Sequence, residues 1–581
     1  MRLFCYLFGI LSLMGVMCAC GDDAADGVTV SAGTEMSPDN ITYLNVSFAM
    51  AGSGSLTRST GDYDYGEGYE NAVESCLLLF YDDEGEYMAS SELTDTDNIT
   101  WESDPDNVAG TYTTLLILGL TSYPTQVLAI LNYSGSESLK GKPLEEVLKT
   151  TVEALPTSSS EGGDFIMSNS VYVKDGKFVY AQPVEESYFY GEGEESTESL
   201  TIYVEREVAK VTIGTVLEAS TRGGSKTERG KYYAELQGGD EGGNYLVYLY
   251  MESTDEPMPT LYSDRAFRIY IDGWAVNATN EEGYLVKKVK DDWLSDADFL
   301  EENIWYNSSD YCTWWAYDDN YDSNENVVTN FSWNDVAEQG TSDEAAYYHE
   351  NTASYTAQTT YNQPGTEACT PTLIVAAHIA VNGPVDASRY FTNTLSSGGI
   401  VEDVFYKNGI YYSENVLMCF IADELNDDGY RTAEGDTLTY DNITLSVSEG
   451  ELTWGLDDGL ALYKDGSQVS EWPELSITEG LTIFKEGACY YQIPIKQGIN
   501  SADIDGSGNT DKIDYCGLVR NHSYEIILNS ISGVGHNVAD LDASLPLIPS
   551  EDETSYLIAN INILDWELVE QTVYINSENN E

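Results

Sequence analysis

The residues best spaced for chemistry lie between 503 and 514. Asp503, Asp505 and Ser507 put side-chain oxygen at loop positions 1, 3 and 5, with Asp511 and Asp514 at 9 and 12. Gly508 falls at position 6, where a calcium loop turns sharply, and Asn509 offers its carbonyl at position 7. Calcium takes about six to eight oxygens, a number this loop could supply. Asp514 is shorter than the glutamate usual at the last position, Thr510 stands where an apolar residue is usual, and no EF-hand helices flank the loop. The same residues are also turn formers, so a polar hairpin loop explains them equally well. A bound Ca2+ here would be structural in role. Histidine offers less: His349, His378, His522 and His536 form no HExxH and have no cysteine or second histidine at ligand spacing. There is no GxSxG elbow, P-loop or GxGxxG after a strand. Among 99 carboxylates no pair singles itself out as glycosidic. The expectation is a protein that is not an enzyme.

The elements that carry these residues read as β-structure. At 581 residues the chain is long enough for more than one domain, and 42% hydrophobic residues suffice for cores. Tyrosine outnumbers phenylalanine 44 to 14, which suits sheets with one wetted face. Strand candidates in the first half are Cys76–Tyr81, Thr113–Leu120, Gln126–Leu131, Ser170–Val173, Phe178–Ala181 and Leu200–Ile213. A second set runs from Tyr245 to Leu564. Leu144, Val147, Leu148, Val152 and Leu155 repeat at helical spacing and predict a helix over Pro143–Leu155; Asn415–Leu425 predicts a shorter one. Short strands separated by Gly/Asp/Ser turns point to Greek-key sandwiches.

Charge sets limits on partners. With 26 basic and 99 acidic residues the formal charge is −73. Such a surface repels nucleic acid and anionic lipid and attracts divalent cations. Copies of the chain repel one another as well. Of nine cysteines, three lie in the first twenty residues and six are scattered without a CxxC pair, so free buried thiols are expected.

The N-terminus reads as a leader. Arg2 precedes a short apolar run to Val16, and Ala19–Cys20 follows. Ending in cysteine suggests a lipoprotein signal, residues 1–19, with Cys20 acylated; Cys18 is the second candidate. Leu44, Val46, Phe48 and Met50 then alternate with polar or small residues, marking a half-buried strand over Ile41–Met50. Gly52–Ser55 is a flexible link, and Arg58 is the only basic residue between Arg2 and Lys140. That order fits a strand meant to be cut off after Arg58, before Ser59. An ordinary first strand and surface loop fit the residues too.

Several blocks together resemble the fimbrillins of Bacteroidota, the subunits of type V pili, most of all the major shaft subunit of the minor (Mfa-type) fimbria. They are Val204–Val211, Gly273–Asn277, Tyr284–Lys287, Tyr347–Thr352, Tyr490–Ile495, Gly517–Tyr524, Asn529–Gly535 and Tyr556–Trp566. The resemblance implies an all-β protein of two transthyretin-like Greek-key β-sandwich domains with loop and short-helix insertions. On this reading residues 20–58 are a propeptide holding the removable strand, 59–220 and 221–566 are the two domains, and 567–581 is a donor-strand tail. It also implies export to the outer membrane as a lipoprotein, cutting by an arginine-specific protease, and strand exchange between copies in a cell-surface fimbrium. Anchor and tip subunits of that fimbrium would be further partners. Arg58 matches the cut and Leu44, Val46, Phe48 and Met50 the removed strand. In the tail Val569, Gln571, Val573 and Ile575 share one face and are the donor candidates; a last strand of the chain's own domain is the plain alternative. Competing roles are an anchor or tip of the same fimbria, or a surface glycan-binding lipoprotein that keeps its Cys20 lipid and stays uncut at Arg58.

Overall fold

The structure, a computed structural model, describes residues 42–50 except 45, most of 69–215, much of 267–352, and 370–381. It also describes 402–495 and 517–546 with short breaks, and the strands at 232–235, 247–250, 259–262, 557–565 and 569–571. The all-β reading holds: strands dominate, and the longest described helix is Glu414–Asp427.

In the first half the strands are β1 (Thr42–Leu44), β2 (Val46–Met50), β3 (Ser75–Tyr81), β4 (Tyr87–Thr94), β5 (Ala109–Thr111), β6 (Leu115–Ile117), β7 (Gln126–Leu131), β8 (Met167–Asn169), β9 (Phe189–Gly191) and β10 (Leu200–Arg206). An eight-stranded sheet runs β4-β3-β7-β8-β10-β2-β5, with Gln182–Pro183 added beside β7; a three-stranded sheet runs β9-β1-β6. β3 is apolar along its length because both of its faces are covered. Cys76, Leu78 and Phe80 enter one core with Val127 and Ile202. Leu77, Leu79 and Tyr81 enter another with Leu128, Ile130, Leu285 and Trp293. Alternation of apolar with polar residues is the mark of a one-sided strand, so its absence here follows from the two-sided burial.

The second half adds β11 (Val208–Thr215), β12 (Tyr232–Glu235), β13 (Phe267–Asn277), β14 (Ala346–His349), β15 (Thr372–Val381), β16 (Ala488–Pro494), β17 (His522–Ile531), β18 (His536–Asn537), β19 (Leu557–Asp565) and β20 (Val569–Gln571). Two five-stranded sheets, β14-β11-β17-β19-β20 and β12-β13-β15-β16-β18, enclose the largest core. Leu373, Val375, Ala377 and Ile379 of β15 face that core, while Ile374 and Ala376 face a smaller one under the helix Trp333–Gln339. Ser332 and Asp335 close the helix start with a reciprocal capping box. Gly273 lets the helix lie close, since a Cβ there would stand 2.2 Å from the Val336 carbonyl oxygen. Along Glu414–Asp427, Leu417, Ile421 and Leu425 bury one stripe at four-residue spacing, which matches the helix expected there.

Two expectations differ from the structure. The helix over Pro143–Leu155 is a single turn, Leu144–Val147. The β-branched pair Thr151–Val152 leaves it to pair with Gly283–Tyr284, so a cross-strand partner overrides the helical pattern. The strand Leu200–Ile213 divides at Glu207. β10 belongs to the first half's sheet, and β11 runs parallel to β17 in the second half's.

Candidate assembly site

The strand expected to be removable is built into the sheets on both sides. β1 lies antiparallel between β9 and β6, with Leu44 opposite Phe189 and Leu115. After Asn45 the chain changes sheet. β2 runs parallel to β10, Val46 opposite Leu200 and Phe48 opposite Ile202, and antiparallel to β5. Leu44, Val46 and Phe48 are buried in one core with Leu78, Phe80, Val127 and Ile202. Met50 stands opposite Val204 in the register. Burying three such side chains stabilises the fold by roughly 5–9 kcal/mol at the usual value per side chain. Without residues 42–50, β10 and β5 would present unpaired backbone edges along an apolar slot, the kind of surface an added strand fills.

The C-terminal tail is seen only at its start. β20 pairs antiparallel with β19, Val569 opposite Ile563 and Gln571 opposite Ile561, and forms the edge of its sheet. It therefore lies on the chain's own sheet through three residue pairs, where β19 meets β17 along most of its length. Val573 and Ile575 lie outside the described residues. So do Cys20, Arg58, Ser59 and the loop positions Asp503, Asp505, Ser507, Asn509, Asp511 and Asp514.

A second feature escaped the sequence reading as a site: a buried charged junction where β10 passes into β11. Lys287 Nζ donates to Glu205 Oε2 at 2.8 Å and to the Thr313 carbonyl at 2.5 Å. Arg206 Nε donates to the Glu70 carbonyl at 3.0 Å, and its Nη1 to Asn521 Oδ1 at 3.1 Å. Glu207 holds His349 Nδ1 at 2.9 Å. Arg520 Nε donates to Glu350 Oε2 at 3.0 Å. Lys210 Nζ meets Glu70 at 2.9 Å, and Tyr347 donates its hydroxyl to the same carboxylate. All of these side chains are buried. Burial pushes the Glu205 carboxyl up, against the pull of Lys287 and Arg520. For His349 burial pulls downward, but the Glu207 carboxylate outweighs it and the imidazole lies above its ordinary value. Gly283 is required beside this pair, since a Cβ would stand 1.9 Å from Glu207 Oε1. The sequence did carry a signal: charged residues set between apolar ones in Val204–Val208, Tyr347–Thr352 and Gly517–Tyr524. Charges in such places must pair when the strand is buried.

The junction is an inward-facing network in which Lys287, Lys210, His349 and Arg520 each meet a carboxylate while Arg206 is held by a carbonyl and an amide oxygen, and it joins strands of both halves. What the two features can do is mechanical: one strand is held between neighbours that are not its sequence neighbours, and the halves are pinned beside it.

Comparison with known proteins gives one family. Residues 482–572 match the model of the major fimbrial subunit protein type IV, Fimbrillin, C-terminal. That stretch spans β16 to β20, including the edge strand. No curated protein matches the sequence. Among solved structures, a protein of Parabacteroides distasonis assigned to cell adhesion is 10% identical, over 91% of this chain and 98% of its own, with a TM-score of 0.35. The tip fimbrial protein Mfa3 of Porphyromonas gingivalis is 10% identical over 90% of this chain and 100% of its own, at 0.31. The fimbrial anchor protein Mfa2 of the same organism is 11% identical over 39% and 76%, at 0.16. At these scores the structural likenesses carry no argument about role.

Proposed function

We propose that this chain, whose residues 482–572 carry the fimbrillin C-terminal signature, is a structural subunit of a surface fimbria. It supports adhesion and carries no catalytic group of its own. The finer reading is a shaft subunit exported as a lipoprotein on Cys20, cut between Arg58 and Ser59, and polymerised when the 567–581 tail of another copy fills the slot of residues 42–50.

One observation carries this reading. Residues 42–50 occupy an interior position in two sheets, yet they precede a Gly/Ser link and an isolated arginine. A strand central to a core is costly to lose unless another strand replaces it. Alternating apolar residues at 569, 573 and 575 suit the tail to that replacement, with Gln571 among them. The short pairing of β20 to its own sheet is compatible with release, because edge strands with few partners open most readily.

N-terminal sequencing of the mature surface protein tests the reading. A chain starting at Ser59 is expected for a shaft subunit. A lipidated Cys20 at the mature N-terminus would overturn the shaft role and point to an anchor or a glycan-binding lipoprotein.

A further inference from the structure

We propose that a lysine-bearing face on the first half of the molecule docks the acidic surface of a second copy of this chain. The inference deepens the subunit reading and rests on it.

The face begins with the hairpin of Tyr172–Lys174 and Lys177–Val179. Asp175 and Gly176 turn it with φ of 52° and 74°, the pair of positive angles a two-residue type I′ turn needs. Lys174 and Lys177 stand directly opposite each other, and both are exposed. Like charges facing across an antiparallel pair destabilise it. Among the described residues neither lysine has an ion pair. Their arrangement therefore costs the free chain something that an acidic partner would return.

Two more lysines lie on the segment that Tyr180 reaches. Tyr180, just past the second hairpin strand, donates its hydroxyl to the Val289 carbonyl at 3.4 Å. Lys288 and Lys290 flank that valine. The Lys288 ammonium lies 4.4 Å from the Tyr284 ring centroid and donates to its hydroxyl at 3.1 Å. The Lys290 ammonium lies 4.5 Å and 4.4 Å from the Tyr317 and Tyr321 centroids. The rings hold both ammonium groups in place without cancelling their charge. Asp175 lies in the turn between Lys174 and Lys177, and Asp291 follows Lys290 in the chain. At the exposed tip, Lys174 and Lys177 against Asp175 leave a positive charge.

A positive patch is unusual on a chain with 26 basic and 99 acidic residues. Any second copy presents acidic surface in abundance. At physiological salt, charges more than about 8 Å apart are largely screened, so the overall repulsion between copies weakens while close pairs persist. The patch then favours one orientation of approach, which sets how fast productive encounters occur.

The test uses the folded full-length chain, cut after Arg58 in vitro by an arginine-specific protease to start assembly, with the initial rate of forming SDS-stable ladders read on unboiled gels. Wild type is compared with Lys174→Glu/Lys177→Glu, with the neutral Lys174→Gln/Lys177→Gln, and with a chain lacking residues 567–581. At about 0.15 M NaCl the Glu variant is expected to be slowed about tenfold, with the Gln variant between. At about 1 M NaCl, where the Debye length is near 3 Å, all three are expected within about twofold. Equal rates at low salt would overturn the proposal. So would a Glu variant equally slow at both salts, which signals a packing defect. If wild type forms no ladder at either salt, or the truncated chain forms ladders unchanged, the strand-exchange reading itself fails.

Discussion

Replacing Phe48 by Ala separates a permanent core residue from a temporary one. Phe48 is buried in the core with Leu78, Phe80, Val127 and Ile202, and stands opposite Ile202 and Gly110 in its two ladders. Truncating a buried phenylalanine costs about 3–5 kcal/mol, from lost transfer energy and the cavity left behind. For a unit of this size, an m-value of about 2–3 kcal/mol/M in urea turns that loss into a midpoint shift of roughly 1–2 M. The shift should appear in the transition of the first half in the uncut chain, followed by limited proteolysis across a urea series. Filaments assembled after cutting between Arg58 and Ser59 contain no residue 48. They should therefore match wild type in yield and in resistance to denaturant. An unchanged midpoint in the uncut protein refutes the burial argument. A stability loss that persists in mature filaments refutes removal of the strand.

Two further outcomes follow from the buried charges. Lys287→Met leaves the Glu205 carboxylate without its ion-pair partner and should destabilise by about 3–5 kcal/mol, and adding Glu205→Gln should recover much of that loss in a double-mutant cycle of urea melts; a single-variant cost near zero refutes the network's importance. Burial and the nearby Glu414 charge push the Glu402 carboxyl up to about 8. With a folded pKa above the unfolded one, the folded state binds the extra proton. This group's contribution is thus complete below the ordinary carboxylate range and lost as pH rises through about 8. The raised His349 has the same sign, its contribution lost as pH rises through its elevated value. Melting temperature should fall from pH 5 to pH 8, and Glu402→Gln should flatten the slope; an unchanged slope refutes the assignment.

How much the sequence revealed depended on what kind of pattern each element wrote into it. Val46 and Phe48 were legible because their strand buries one face, which leaves a period of two. Glu414–Asp427 was legible from its four-residue stripe. The spacing from Leu144 to Leu155 misled because Val147 and Val152 do reach the same core, but from a turn and a strand. Periodicity reports burial, and it reports secondary structure only when one element does the burying. The break at Glu207 was invisible for a related reason: apolar residues continue on both sides of it while the neighbouring strands change. The junction is scattered along the chain, since Val204–Val211, Tyr284–Lys287, Tyr347–Thr352 and Gly517–Tyr524 all contribute to it. Nothing local says that Glu205 meets Lys287 or that Arg520 meets Glu350. Such pairs depend on the tertiary path of the chain.

The junction also bears on how a central strand could be exchanged without loss of the fold. The segment after the proposed cut site is held in part by contacts that do not involve residues 42–50. Asn132 Nδ2 donates to the Ala72 carbonyl at 2.8 Å, and its Oδ1 accepts from the Glu74 amide at 2.8 Å. Glu70 is fixed by Lys210, Tyr347 and Arg206, whose strands belong to both halves. Val73 is buried in the core that also holds Phe48. Breaking Glu70 out of this network leaves the buried Lys210 ammonium without its carboxylate and takes a carbonyl acceptor from Arg206, a cost of several kcal/mol. Opening that begins at residues 42–50 therefore meets a barrier at Glu70. The core residues on β3, β7, β8 and β10 keep one another's company while the slot is vacant, so the loss is confined to the apolar contacts and ladder bonds of a single strand. A strand bringing the same alternation restores those terms and has no need to rebuild the junction.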